Sequence, residues 1–416
     1  MSILNHGSDS YDIVIVGGGI GGSALAAVMS RAGKSVLVLE RATAYRDRVR
    51  GEYMQPWGVA EAQRLGVHET LLDAGGAHHS TYVPYDETLE PAEAEAAAVA
   101  LSEIIPNVPG SLGVGHPQAC EALSAAARAN GATVHQGAET GRVDPSTPPV
   151  VHYQVDGVER EARCRLLVGA DGRQSLVRRL AGIDLHATVP RLLGAGLRVA
   201  GMRGWPEHQA SIGTEDDRVF FVLPQAGGFA RLYLMYSPDQ RQRFSGPNAP
   251  SDFLECLQLE CFPEDVAITE AMPAGPCAEF PMNDTWTETP LAPGLALIGD
   301  AAGYSDPHIG QGLSVALRDV RILSEILLSG EDWSEKALQP FATERSERMR
   351  RLRFCNDVAT SLRGTFGEEA RQRRRRARAA METAPELALW RKALWAGPET
   401  VPHSAFDDGV RTRLVG

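Results

Sequence analysis

Residues 11–40 read YDIVIVGGGIGGSALAAVMSRAGKSVLVLE, and this stretch decides the fold. Tyr11 to Val16 is a short apolar run rich in β-branched side chains, the composition of a buried strand. Gly17, Gly19 and Gly22 follow in Gly-x-Gly-x-x-Gly register. Ala24, Leu25, Ala26, Ala27, Val28 and Met29 then read as a buried helix with Gly33 at its C-cap. Ser35 to Leu39 is a second β-prone run, and it closes on Glu40 with Arg41 beside it. Strand, glycine turn, helix and strand form a βαβ unit of the Rossmann type, which binds a dinucleotide. Gly17 permits the tight turn, Gly19 lets a pyrophosphate approach the backbone, and Gly22 lets helix and strand pack closely. The helix N-terminus offers N–H groups and partial positive charge to that pyrophosphate. Glu40 lies close to the spacing of about 20 residues at which an acid meets ribose hydroxyls. FAD and NAD share the adenosine ribose and the pyrophosphate, so the choice between them needs a second element.

Working outward, the pattern predicts a helix over Gln118 to Asn130 ended by Gly131, and a strand over Ala132 to His135. The Ala/Glu-rich residues 92–100 read as a mobile helix or loop, and the Pro/Ser/Thr cluster at 144–149 as a turn. Arg165 to Ala170 is apolar and runs into Asp171 and Gly172. Arg218 to Leu223 and Phe229 to Tyr236 are β-prone runs on either side of Pro224-Gln225-Ala226-Gly227-Gly228, a hairpin within an inserted, mainly antiparallel sheet. Leu295 to Ile298 reads as a return strand, and Leu313 to Leu327 repeats at helical spacing up to Gly330. Beyond it the chain reads as helical and polar, with Trp390 and Trp395 as packing residues.

The second element is residues 299–313, GDAAGYSDPHIGQGL. A strand delivers Asp300 into a loop, and Gly310 and Gly312 open the long helix that begins near Leu313. A carboxylate there suits ribityl hydroxyls, and a helix N-terminus suits the negative charge of a reduced flavin. Gly299-Asp300-Ala301-Ala302, Pro307 seven residues after the acid, and Gly310-Gln311-Gly312-Leu313 resemble the Gly-Asp motif of the para-hydroxybenzoate hydroxylase family. The fingerprint at Gly17 to Gly22 resembles that family's start. Gly169 to Ser175, followed by Arg178 and Arg179, is similar to its middle Asp-Gly motif. Arg50-Gly51-Glu52, with Pro56 and Leu65-Gly66, is similar to its second segment.

The resemblance implies an FAD-binding domain (residues 1–80, 105–185 and 290–330), a substrate domain (81–104 and 186–289) and a C-terminal helical region (331–416). It places Arg50 along the flavin, Asp300 on the ribityl chain, Pro307 near the reactive edge of the ring, and Asp171 in the motif that serves FAD and an incoming nicotinamide. The chain departs from the family at the head of the helix before Leu123, where His116-Pro117-Gln118 replaces the usual Arg or Gln. His116 and Gln118 are the two candidates for the family's flavin-phosphate contact there.

The activity implied is a monooxygenase: NADH or NADPH reduces FAD, dioxygen adds, and a flavin hydroperoxide hydroxylates or epoxidises an aromatic or polyketide-like small molecule. His308, beside Pro307, is the candidate for proton transfer near neutral pH, against the alternative of a loop-packing histidine. Three rivals stand beside this reading. A flavin-dependent halogenase shares the fold, but its Trp-x-Trp-x-x-Ile-Pro signature is not in the chain. A reductase or dehydrogenase of the same fold turns over without consuming dioxygen into product. A non-catalytic FAD-bearing protein that sequesters a ligand does not speed NAD(P)H oxidation.

Composition bounds the partners. A net charge of −12 across 416 residues disfavours nucleic acid and anionic membrane surfaces. The run Arg371, Arg373 to Arg376 and Arg378 reads as the solvated face of a helix, with a phosphate- or partner-binding patch as the alternative. Six scattered cysteines without a Cys-x-x-Cys pair indicate neither a metal site nor a disulfide framework. The first residues lack a secretion signal, and no apolar run approaches the roughly 18 residues of a membrane helix. The expected location is therefore cytoplasmic. Supply of electrons by a separate flavin reductase stays open, as does the oligomeric state.

Overall fold

The computed structural model describes residues 9–49, 51–144 and 148–416. Its first sheet grows from the opening βαβ unit. Asp9–Val16 lies between Val158–Gly169 and Val36–Glu40, with Thr133–Gln136 outside the latter and Leu295–Leu297 outside the former, all parallel. Continuous apolar strands suit this place because both faces are covered. Ile13 and Ile15 pack under the helix Ile20–Arg31, together with helices His116–Ala129 and Gly312–Ser329. Val14 and Val16 point the other way, onto Val151, Tyr153 and Val155 of an antiparallel extension.

The inserted sheet runs in the order Met272–Pro273, Leu192–Ala200, Phe229–Tyr236, Arg218–Gln225, Gln209–Glu215, Thr81–Val83, Val99–Ala100. Its pairs are antiparallel except Thr81–Val83 with Gln209–Glu215. Alternation along the hairpin settles which side chains face which way. Phe220, Val222, Leu232 and Leu234 enter one core with Phe253 and Phe262. Val219, Phe221, Tyr233 and Met235 enter another with Val49 and Phe280.

Three expectations are corrected. The hairpin strands extend through Pro224 and Gln225, so the turn is only Ala226-Gly227-Gly228, with φ of 76° and 75° at the two glycines. Residues 92–100 hold the expected helix, Pro91–Ala96, but also an unexpected strand, Val99–Ala100, that pairs with Thr81–Val83. The C-terminal region is not polar throughout. Met349, Leu352, Val358, Trp390, Leu394 and Phe406 form a core of their own, and Trp395 packs 5.6 Å from Tyr82.

The arginine run divides in a way neither sequence reading foresaw. Arg371, Arg374 and Arg378 share one face of the helix Glu368–Thr383 and grip residues 86–88 beside the inserted sheet. Arg374 is buried and pairs with Asp86 (3.2 Å) and Glu87, Arg371 pairs with Glu87 (2.8 Å), and Arg378 donates to the Thr88 hydroxyl (2.8 Å). Arg375 and Arg376 are exposed. Among the described residues no helix is long and apolar enough to cross a membrane.

Candidate cofactor and substrate site

The three fingerprint glycines differ in what surrounds them. Gly17 has φ of 105°, and a Cβ on it would meet the Ala170 carbonyl oxygen at 2.4 Å. A Cβ on Gly22 would meet the Gly17 oxygen at 1.9 Å. Among the described residues nothing lies within 4 Å of the corresponding position on Gly19, the N-cap of the first helix, and no side chain caps that helix. Two of the glycines thus serve packing, while the third leaves backbone open at a helix N-terminus. Glu40 is buried at the end of its strand, accepting from the N–H of Gly18 (2.7 Å) and of Ala42 (2.7 Å). Each carboxylate oxygen keeps a lone pair for a ribose hydroxyl. The Tyr45 hydroxyl donates to Gly18 O (2.7 Å) from the same side. Arg41 is exposed at the strand end.

The Asp300 loop is built from further away. Gly299 follows the strand Leu295–Leu297 with φ of 57°, and its N–H donates to Asp319 (2.7 Å). Arg345, on the helix Glu335–Arg363, donates to the carbonyls of Gly299 (3.0 Å), Ala302 (2.9 Å) and Gly303 (2.8 Å), and to Asp319 (2.9 Å). Arg348 completes the cluster on the other Asp319 oxygen (2.7 Å). Burial works against the Asp319 charge, but Arg345 and Arg348 overcome it and hold its carboxyl below the usual range. Arg178 donates to Ala301 O (3.2 Å). Within this buried loop the Asp300 carboxylate keeps 38% of its surface exposed, with Arg173 at 3.4 Å. The Arg173 guanidinium lies 4.1 Å above the Tyr304 ring.

The head of the helix Gly312–Ser329 is held by the second segment. Gln55 and Gln311 both donate to Ile309 O (3.1 and 2.8 Å), and Trp57 donates to the Gln311 side chain (2.9 Å). Gly310 turns at φ of 61° against Tyr53, Gly312 is exposed with nothing where a Cβ would stand, and Leu313 is buried. Half-buried Pro307 stands between this head and Asp300. The inserted sheet closes from above. Buried Arg231 of the hairpin grips Glu52 with two nitrogens and Asp47 with one (2.6 Å), and the Phe221 ring lies 6.3 Å from the His308 ring.

The structure brings Gly299, Asp300, Pro307, Gly310, Gly312 and Leu313 into one loop and helix head, next in the sheet to the strand that leads into Asp171. Arg50 lies outside the described residues. His116 and Gln118 stand in the first turn of their helix, which starts two residues earlier than expected. Asp171 caps the following helix: its carboxylate accepts from the Ser175 hydroxyl (2.5 Å) and from the N–H groups of Leu176 (2.6 Å) and Val177 (3.1 Å). His308 is corrected in its titration. It is fully buried, and burial, Arg363 and Arg191 together push its pKa well below the ordinary range, so it stays neutral at pH 7. Its backbone N–H donates to Asp306 (2.9 Å), whose carboxyl is pushed up to about 7 by burial and by Asp284. Sequence reasoning missed Asp319, Arg345, Arg348 and Arg231, which carry no local motif and act across the fold.

FAD fits this arrangement: open backbone at Gly19 for the pyrophosphate, the accessible Asp300 carboxylate for the ribityl chain, and open backbone at Gly312 for the flavin ring.

Residues 10–353 match the family described as FAD binding domain. The chain is 29% identical to the 3-demethoxyubiquinol 3-hydroxylase of Escherichia coli over 360 residues, covering 82% of this chain and 85% of that one. It is 26% identical to digeranylgeranylglycerophospholipid reductase 1 of Methanococcoides burtonii over 380 residues, covering 85% and 83%. Its fold is similar to that of p-nitrophenol 4-monooxygenase PnpA from Pseudomonas putida, with a TM-score of 0.75 at 16% identity, covering 98% of this chain and 99% of that one. Because the family match runs from the first strand through the Asp300 loop and into the helices behind it, it takes in both halves of the site. The chain belongs to the FAD binding domain family, with FAD as its cofactor.

Proposed function

We infer that this chain is an FAD-dependent monooxygenase that uses NADH or NADPH and dioxygen to oxygenate an electron-rich aromatic or polyketide-like small molecule. The observation that carries the reading is the contact of Phe221 with His308, which sets the apolar underside of the inserted sheet directly over the Pro307 loop. FAD supplies the redox chemistry and the activation of dioxygen. The protein holds Asp300 and the helix head in place, covers them with Phe221, Tyr233 and Phe280, and excludes water from the space between. Substrate contacts fall to residues 81–104 and 186–289, cofactor contacts to the remainder of the first 330 residues, and the enzyme works in the cytoplasm. The hydroxylase and monooxygenase names among its relatives support this reading.

A reductase is the second reading, favoured by the relative from Methanococcoides. The purified protein, incubated with NADH or NADPH and a panel of phenols, separates them through oxygen uptake and mass spectrometry of the product. The monooxygenase consumes dioxygen in step with the nicotinamide and adds one oxygen atom. Reduced product without oxygen incorporation makes the enzyme a reductase. Turnover only after adding a flavin reductase makes it one half of a two-component system.

A further inference from the structure

His68 opens the helix His68–Asp73, and His78 and His79 lie on the strand Ala77–His79. Strand alternation sends His78 and His79 to opposite faces. Fully buried His79 is matched on both ring nitrogens: Nε2 donates to Pro224 O (2.7 Å), and Nδ1 accepts from the Ser111 hydroxyl (3.2 Å). His78 is matched differently. Its Nδ1 lies 3.1 Å from Ser111 O, and its Nε2 lies 3.1 Å from Nε2 of His68. The Nδ1 of His68 in turn lies 3.1 Å from a Glu69 carboxylate oxygen.

A carbonyl oxygen and a carboxylate only accept, so both rings carry their hydrogen on Nδ1. Two Nε2 lone pairs then face each other across 3.1 Å. Moving one hydrogen to Nε2 makes a bond there but strips Nδ1 of the hydrogen that its oxygen needs. No neutral arrangement satisfies all of these contacts, whereas a positive charge between the rings does. The distance favours a metal ion over a proton. A charge-assisted hydrogen bond closes to about 2.7–2.9 Å. Two nitrogens 3.1 Å apart, each about 2.0–2.1 Å from one ion, instead subtend about 98° there, between the octahedral and tetrahedral values. An oxygen acceptor behind each imidazole is also the outer contact that orients metal-bound histidine. Among the described residues no third His, Cys, Asp or Glu completes a set, so the remaining positions fall to water on the partly exposed His78 side.

We propose that His68 and His78 hold one divalent ion of the zinc and copper class through their Nε2 atoms, clipping the helix His68–Asp73 to the strand Ala77–His79. Imidazole nitrogen suits these ions, and magnesium or calcium would need oxygen ligands instead. The site shares no residue with the FAD contacts described above, and the proposal does not rest on the function read from them. The test is titration of the tag-free holoenzyme with Zn2+ against a chromophoric chelator, with Mg2+ as the control ion. The tightest zinc site holds one ion per chain, and Mg2+ does not compete for it. Its affinity falls at least tenfold in His68→Gln and likewise in His78→Gln, while His186→Gln on the exposed surface leaves it unchanged. Zinc raises the melting temperature of the wild type and of neither site variant. Flavin content and the zinc-free melting temperature establish that each variant is folded, and an Asn variant replaces a Gln variant that is not. No zinc uptake, competition by Mg2+, or affinity unchanged in either site variant overturns the proposal, and the pair is then bridged by a proton.

Discussion

The Gly17–Gly22 turn and the Gly299–Gly312 loop both leave backbone open, at Gly19 and at Gly312, yet they are held by different forces. The turn is held by contact: a Cβ at Gly22 would meet Gly17 O at 1.9 Å, so the absence of side chains is what permits it. The loop is held by charge: Arg345 reaches three of its carbonyls and shares Asp319 with Arg348. Steric permission is written within six residues, whereas the ionic clamp joins residues 26 and 29 positions apart in the chain. An isolated glycine motif therefore announces its purpose, and an arginine on a distant helix does not.

The comparison can be broken by substitution. Gly22→Ala gives the largest effect, because backbone blocks the added atom. A loss of about 4 kcal/mol or more is expected, with little folded flavoprotein recovered. Soluble protein with normal flavin content would show that the turn relaxes, and contact would no longer be the cause. Arg345→Met leaves Asp319 and three carbonyls short of partners, and denaturant unfolding should show a loss of about 3–5 kcal/mol. A change below about 1 kcal/mol would make the clamp a bystander.

Asp300→Ala tests function apart from structure. FAD affinity should fall at least tenfold, about 1.4 kcal/mol, with the melting temperature of the apoprotein nearly unchanged. Full flavin content after purification would misplace the ribityl site. A smaller effect belongs to the acid beneath the loop. Asp306, pushed up to about 7 by burial and Asp284, holds a proton in the folded chain that the unfolded chain releases at lower pH. That contribution to stability is lost as pH rises from about 4 to about 7. Asp306→Asn removes this slope, so the variant gains on the wild type across that window and the gap levels off above it. A pH-independent gap would assign the site an ordinary carboxyl. Gly19→Ala is the mildest for the fold, within about 0.5 kcal/mol since no described residue lies within 4 Å, but a methyl group there should lower FAD affinity if the pyrophosphate takes that space. Unaltered FAD affinity in that variant would break the distinction between Gly19 and Gly22.

Legibility followed range. The strand from Tyr11, the helix before Gly33 and the hairpin from Arg218 to Tyr236 were readable because their periodicity and breakers are local. The run from Arg371 to Arg378 was not. Its charge reads as a solvated face, and only the approach of Asp86 and Glu87 turns Arg374 inward. His308 misled for a similar reason, since a histidine's ordinary pKa holds only while water reaches it.

By itself, the sequence determined the βαβ start, the order of the family's motifs and the glycines at which the chain turns, since glycine spacing and apolar period act over a few residues. Only the tertiary structure decided that Asp171 caps a helix, that Arg345 and Asp319 fix the Asp300 loop, and that His308 is fully buried. Those outcomes depend on burial and on partners from distant segments, and both quantities exist only once the chain has closed on itself.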